Sequence, residues 1–261
     1  MQTIIINDCS DANAMGRQSS RAAALMQGPV TQIGVKSDLE AAGNIIDILD
    51  SIGESPAVLL VNVAPRNGRG KKWENGTPFG YFWYKQALVV ASVDGLTLSL
   101  VKKLQLTDVV HVMDIPTAVK EMSDNGAIAS EFVEKISKTQ FRSLDFIPRV
   151  AAYLLVHKQV AAVATPMSEI DDAPNAVWWI DNFGNAKTTL LEGDCDFKDS
   201  EQMATNFGTL PCYRQLKAVP DASAAITIGS SGIDDSRFIE IVVQGESAAQ
   251  KLGIRNGSVV L

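Results

Sequence analysis

The sequence predicts an α/β N-terminal domain built on a largely parallel sheet, followed by a smaller all-β, barrel-like C-terminal domain. Three observations carry that expectation. Over the first two-thirds of the chain, short apolar or β-branched runs alternate with segments of helical period. At 165–176, TPMSEIDDAPNA interrupts the alternation with two prolines and the acidic residues Glu169, Asp171 and Asp172, and reads as a linker. Beyond it, strand-like runs succeed one another without long helices, as in a small antiparallel β-domain. The expected division is 1–165 for the α/β domain and 172–261 for the β-domain.

Residues 3–7, 58–63, 87–93 and 159–164 are short, apolar and bounded by polar, Gly or Pro residues, the pattern of buried strands. A helical stretch follows the first of them at 13–26. Residues 38–52 place Leu39, Ala42, Ile45, Ile46 and Leu49 on one helical face, with Asp38 suited to the N-cap. Further helices are expected at 96–103, 128–136 and 146–158, the last with Pro148 in its first turn, where the missing N–H is tolerated. In the second domain the expected strands are 177–181, 186–191, 224–228, 238–243 and 259–261.

The 261 residues, 46% hydrophobic and 20% charged, are enough for a sizeable core and too apolar for a disordered chain. No apolar stretch is long enough for a membrane span, and residues 1–8 lack the basic and apolar regions of a signal peptide, so the cytosol is the expected location. A net charge of −7 argues against nucleic acid or an anionic membrane as partner, because phosphate binding needs a basic surface. Cys9, Cys195 and Cys212 form no CxxC or Cys/His cluster, so neither a metal site nor a disulfide framework is expected. Only His111 and His157 are available to histidine chemistry. A small-molecule ligand is the class that remains.

Three segments carry candidate chemistry. Asp8 directly follows a strand, the edge of an open α/β sheet where ligands bind, and its carboxylate suits a sugar diol; alternatively Asp8 or Ser10 caps the next helix. The run 64–72, APRNGRGKK, combines glycines with Arg66, Arg69, Lys71 and Lys72, and Asn67 adds an amide; it is either an anion cradle or a solvated basic loop. It lacks the spacing of a Walker loop. Six of the seventeen aromatics then fall within 73–84, able to sandwich a purine or meet a sulfonium, or equally to pack a core or a subunit interface. The third segment, WWIDNFGN at 178–185, is a natural turn whose Phe183 and Asn185 offer a stacking face and a base-reading amide. Cys9 has no histidine near it in sequence, and His111 lies in an apolar run where a satisfied core histidine is the ordinary outcome.

Taken in order, these segments resemble the S-adenosylmethionine hydroxide adenosyltransferase family, which includes the fluorinases and chlorinases. Asp8 falls on the aspartate of the family's TDFG motif, with Cys9 and Ser10 in place of Phe and Gly. Residues 38–65 follow the register of DVRAAA…VDP, and Val93-Asp94-Gly95-Leu96 is similar to PDNGLL. FRSLDFIPRVAA at 141–152 resembles FHGRDIFAPVAA, and IDNFGNAKTT at 180–189 resembles IDRFGNLVTN. Residues 247–259 are similar to the closing AA…LG…GD.V segment.

The resemblance implies an α/β domain joined to a β-barrel domain, a homotrimer with ligand between neighbouring subunits, and S-adenosylmethionine as substrate with no further cofactor. Asp8 would hold the ribose hydroxyls, Phe183 and Asn185 the adenine, and Asn67 and Asp94 would add ligand contacts. The implied reaction is in-line displacement at the ribose C5′ with methionine leaving, by water to give adenosine; a catalytically silent binder and transfer to another anion are the alternatives. The family's water-orienting aspartate, arginine and histidine correspond to Ala64, Lys71 and Arg142. Alanine orients no water, lysine lacks the bidentate fork, and arginine is a poor base. Lys71 and Arg142, which bring positive charge to the expected nucleophile position, are the candidate catalytic residues.

Overall fold

In a computed structural model of the chain, which describes residues 1–65 and 77–261, β1 (Gln2–Asn7) is buried from Thr3 onward. Three consecutive isoleucines leave no face for solvent, as expected of a strand flanked on both sides. The chain divides into two units, Met1–Ile45 with Ser51–Asp172, and Ile46–Asp50 with Ala173–Leu261.

In the first unit β1 is followed by α1 (Ala12–Met26), β2 (Val30–Gly34), α2 (Asp38–Ile52) and β3 (Ala57–Asn62). Then come β4 (Phe79–Tyr84), β5 (Ala87–Ser92), α3 (Ser99–Lys103), β6 (Val109–Met113) and α4 (Ile115–Asp124). α5 (Val133–Ser137), α6 (Arg142–Asp145), α7 (Ile147–His157) and β7 (Val163–Pro166) complete it. The strands form one seven-stranded sheet in the order β2-β1-β3-β5-β4-β6-β7. β2, β1, β3 and β5 pair in parallel, whereas β4 is antiparallel to both β5 and β6, and β6 to β7. The sheet is thus mixed, a correction to the largely parallel sheet expected from the alternation. Only Lys85 and Gln86 separate β4 from β5, with Lys85 at φ 51°, and so short a connection permits only a hairpin.

Other boundaries shift for local reasons. Lys158 turns left-handed at φ 66° and ends α7, so the expected strand at 159–164 moves to Val163–Pro166. The helix expected at 128–136 is a 3₁₀ turn, Ser130–Phe132, followed by α5. That expected at 96–103 begins only at Ser99, behind the turn made by Gly95. β2, β4, β6, α4 and α6 are additions to the elements the sequence predicts. A buried cluster that includes Ile5, Leu60, Leu88, Val90, Phe146 and Leu154 packs the helices onto the sheet. Each such side chain contributes about 1.5–3 kcal/mol by leaving water.

The second unit contains β8 (Val177–Ile180), β9 (Ala186–Leu191), β10 (Gln202–Thr205), β11 (Gly208–Tyr213), β12 (Ala224–Ile233), β13 (Ser236–Val243) and α8 (Ala248–Leu252). Its six-stranded sheet runs β10-β11-β12-β13-β9-β8, antiparallel except between β11 and β12. β10, β11 and α8 add to the expected strands, and residues 259–261 make only an isolated bridge, Ala176 to Val259. Val177, Leu190, Met203, Ile226, Ile239 and Ile241 belong to its core. Among the described residues no helix is long and apolar enough to cross a membrane.

Candidate functional site

The carboxyl ends of β1, β3 and β5 lie side by side, and the chain leaves β1 and β5 through segments that carry Asp8 and Asp94. After β1, the Asp8 N–H donates to the Asn62 carbonyl, and Asp8 Oδ2 accepts from the Ala64 N–H at 3.4 Å. Asp8 therefore bridges the ends of β1 and β3. Asp11, not Asp8 or Ser10, caps α1, accepting from Asn13 and Ala14 N–H at 3.0 Å. That removes helix capping as the explanation for Asp8. After β5, Asp94 is buried, and Gly95 at φ 70° lies so close to Pro65 and Asp38 that a Cβ there would collide with both. Asp38 Oδ2 accepts from the Leu96 N–H at 2.9 Å and secures this turn.

Beside these strand ends is a cavity of about 250 Å³. One wall is Cys9 with Asn62, Val63 and Ala64, the chain entering β4 supplies Thr77 and Phe79, and residues 139–143 close the remaining side. Arg142 is half-buried here and donates from Nη1 to the Thr77 carbonyl at 2.8 Å. Burial pushes its pKa down from the usual arginine value. Among the described residues lining the cavity, Arg142 is the one charged side chain, and none is a carboxylate or an imidazole.

A buried chain of side chains fixes which way the neighbouring hydroxyl points its hydrogen bonds. The Cys9 N–H donates to Asn7 Oδ1 at 2.6 Å, so the Asn7 amide must turn its NH₂ toward Gln18. Asn7 Nδ2 accordingly donates to Gln18 Oε1 at 2.7 Å, and Gln18 Nε2 donates to Ser143 Oγ at 3.2 Å. Ser143, which lines the cavity, thus accepts from the interior through Oγ, and its own proton is not used in that bond. Thr139 is already committed, accepting from the Phe141 N–H and donating to Asp145 Oδ2.

Phe183 and Asn185 stand together in the turn between β8 and β9 of the second unit. Asp181 Oδ1 accepts from both the Phe183 and Asn185 N–H at 2.9 Å, and Oδ2 from Asn185 Nδ2 at 3.1 Å. The turn holds the Phe183 ring 73% exposed, and the Asn185 amide oxygen keeps its acceptor capacity. Asn67 and Lys71 lie outside the described residues, as do Arg66, Arg69, Lys72 and Trp73.

The structure therefore brings Asp8, Ala64 and Arg142 to one end of one sheet and collects Phe183 and Asn185 in one turn. Sequence reasoning passed over Ser143, Asn7 and Gln18. Gln18 did carry a signal, because it interrupts the buried helical stripe Ala14, Ala22, Met26 with a polar side chain. Cys9, which has no histidine near it in sequence, proves to be part of the cavity wall. His111 corrects another reading: it is half-buried, and its ring stacks on Tyr81 at 5.0 Å rather than sitting satisfied in the core.

Comparison with known proteins places residues 175–261 under the family model described as the SAM hydroxide adenosyltransferase C-terminal domain. The whole chain matches two solved structures in fold. An uncharacterized conserved protein from Thermotoga maritima is 15% identical with a TM-score of 0.67, each chain covered over 100% of its length. A conserved hypothetical protein from Thermus thermophilus is 17% identical with a TM-score of 0.56, covering 100% of this chain and 99% of the other. No curated protein matches.

Proposed function

We propose that this chain, whose residues 175–261 belong to the SAM hydroxide adenosyltransferase family, binds S-adenosylmethionine and transfers its adenosyl group to an anion seated between Arg142 and Ser143. The observation that carries the choice of nucleophile is the lining of the cavity beside Asp8. It offers a guanidinium and the Ser143 hydroxyl, whose proton is not used in the bond from Gln18, and among its described residues no base to take a proton from water. An anion needs no such base. Its lone pair forms the bond to C5′ while the C5′–S pair returns to sulfur, so a cationic sulfonium and an anion become two uncharged centres. The leaving group is already activated, and the protein's task is to orient the reactants and exclude water.

In this reading Asp8 accepts from the ribose hydroxyls, Phe183 stacks on the adenine and Asn185 reads its edge. Asp94 supports the turn behind the ribose, and Asn67 and Lys71 belong to the segment following Ala64. The active species is a homotrimer. Incubating pure protein with S-adenosylmethionine and a panel of halides and oxyanions, and following methionine release, tests it. Anion-dependent release supports the proposal. Release of adenosine at an anion-independent rate would assign water as the nucleophile instead, and binding by calorimetry without turnover would leave a silent S-adenosylmethionine-binding protein.

A further inference from the structure

The aromatic face of β4 serves two cavities. Phe79 lines the one described above, while Tyr81 and Trp83, next on the same face, line a second of about 510 Å³. Glu121 from α4 and Lys158 from the end of α7 also line this second cavity, with His111 on β6 beside Tyr81. Opposite charges that share a cavity ordinarily pair, but these two do not. Glu121 accepts from the Tyr153 hydroxyl at 3.2 Å through Oε1 and from the Ala161 N–H at 2.6 Å through Oε2. Each oxygen retains a further lone pair. Lys158 Nζ stands 4.6 Å from the centre of the Trp83 ring, and among the described residues it has no acidic partner. Tyr81 accepts from the Val160 N–H at 3.4 Å and still has its own proton to donate.

Lys158 also occupies an unusual backbone position. It ends α7 at φ 66°, with its N–H donating to the Leu154 carbonyl at 2.8 Å, a place where glycine is the less strained residue. A lysine there is unfavourable for the backbone, and this exposed side chain lines the cavity with its ammonium over the Trp83 ring.

A carboxylate and an ammonium held apart across an aromatic wall match a molecule that carries both opposite charges. We propose that this cavity binds a free α-amino acid with an apolar side chain, its carboxylate on Lys158, its ammonium on Glu121 and its side chain against Tyr81 and Trp83. The site is separate from the Arg142 cavity and does not depend on the adenosyl-transfer reading.

Titration calorimetry of the full chain with L-phenylalanine, L-leucine and L-methionine tests this. N-acetyl-L-phenylalanine, which lacks the ammonium, and L-phenylalaninamide, which lacks the carboxylate, serve as controls. At least one free amino acid is expected to bind with a Kd of about 1 mM or tighter, and both controls at least about tenfold more weakly. Lys158→Gly and Glu121→Gln are each expected to weaken binding by about tenfold or more. Lys158→Gly should do so while keeping or raising Tm, because glycine suits the backbone there. Arg142→Ala should leave the affinity unchanged. Absence of binding by all three amino acids, insensitivity to Lys158→Gly, equal binding of the controls, or loss with Arg142→Ala would each overturn the proposal.

Discussion

In the proposed transfer, the adjacent Arg142 and Ser143 divide one task. The guanidinium is anchored by the Thr77 carbonyl and half-buried, so its remaining N–H groups face the cavity without full hydration. Arg142→Ala is expected to lower the anion-dependent rate by about a hundredfold, and Arg142→Lys to restore part of it, since charge returns without the planar fork. Rates measured across anion concentrations will show whether the loss falls on anion affinity. Ser143→Ala removes one neutral donor and should cost about tenfold in the same assay. Gln18→Leu should act through stability, because it strands the Asn7 amide in the interior and unlocks Ser143. A loss of about 1–3 kcal/mol is expected in urea unfolding. At this scale Arg142 and Asp8 were legible from motif position. Ser143 was not, because its usefulness depends on what Gln18 donates to it from another helix.

The β8–β9 turn and the β4–β5 hairpin show how an element can be read and misread. The turn was legible because Asp-Asn-Phe-Gly-Asn ends a strand, and Asp181 closes it through three hydrogen bonds. Phe183→Ala should leave the unfolding midpoint unchanged, the ring being exposed, yet weaken S-adenosylmethionine binding by about tenfold in calorimetry. Gly184→Ala should do the reverse damage. Gly184 sits at φ 87°, and an added Cβ would meet Ser247, so unfolding should begin at lower denaturant by about 1–3 kcal/mol. In β4, six consecutive residues are nearly all aromatic, which conceals the period of two that marks a half-exposed strand. Burial explains the difference: β5 and β6 pair with its two edges, and Phe79 to Phe82 are buried in succession, so both of its faces are covered where it begins.

At the scale of the whole molecule the ionisable groups set how stability responds to pH. Glu240, on β13, is buried, and this desolvation, reinforced by the nearby Asp181 carboxylate against the pull of Lys187, raises its pKa above 4.5. Its protonated form is therefore the better one in the folded state. The contribution is fully present below the unfolded value and declines as pH rises from 4.5 through the folded value. Glu240→Gln should abolish this decline, so wild type and variant unfolding curves should diverge as pH rises through that window. Light scattering on the pure protein should report a trimer if the ligand is shared between subunits, and a monomer would remove that part of the proposed function.

Period, punctuation and composition were sufficient to announce two domains of different class, the buried strands β1, β3 and β5, and the residues of the Asp8 and Phe183 turns. Those features are written locally, in side-chain alternation and in residues that suit particular turns. The antiparallel half of the first sheet, the Asn7–Gln18–Ser143 chain, and the Glu121 and Lys158 pair facing one cavity are not local. They join residues as far as 125 positions apart in the chain, and only packing brings such groups to one place and sets the direction of the hydrogen bonds between Asn7, Gln18 and Ser143.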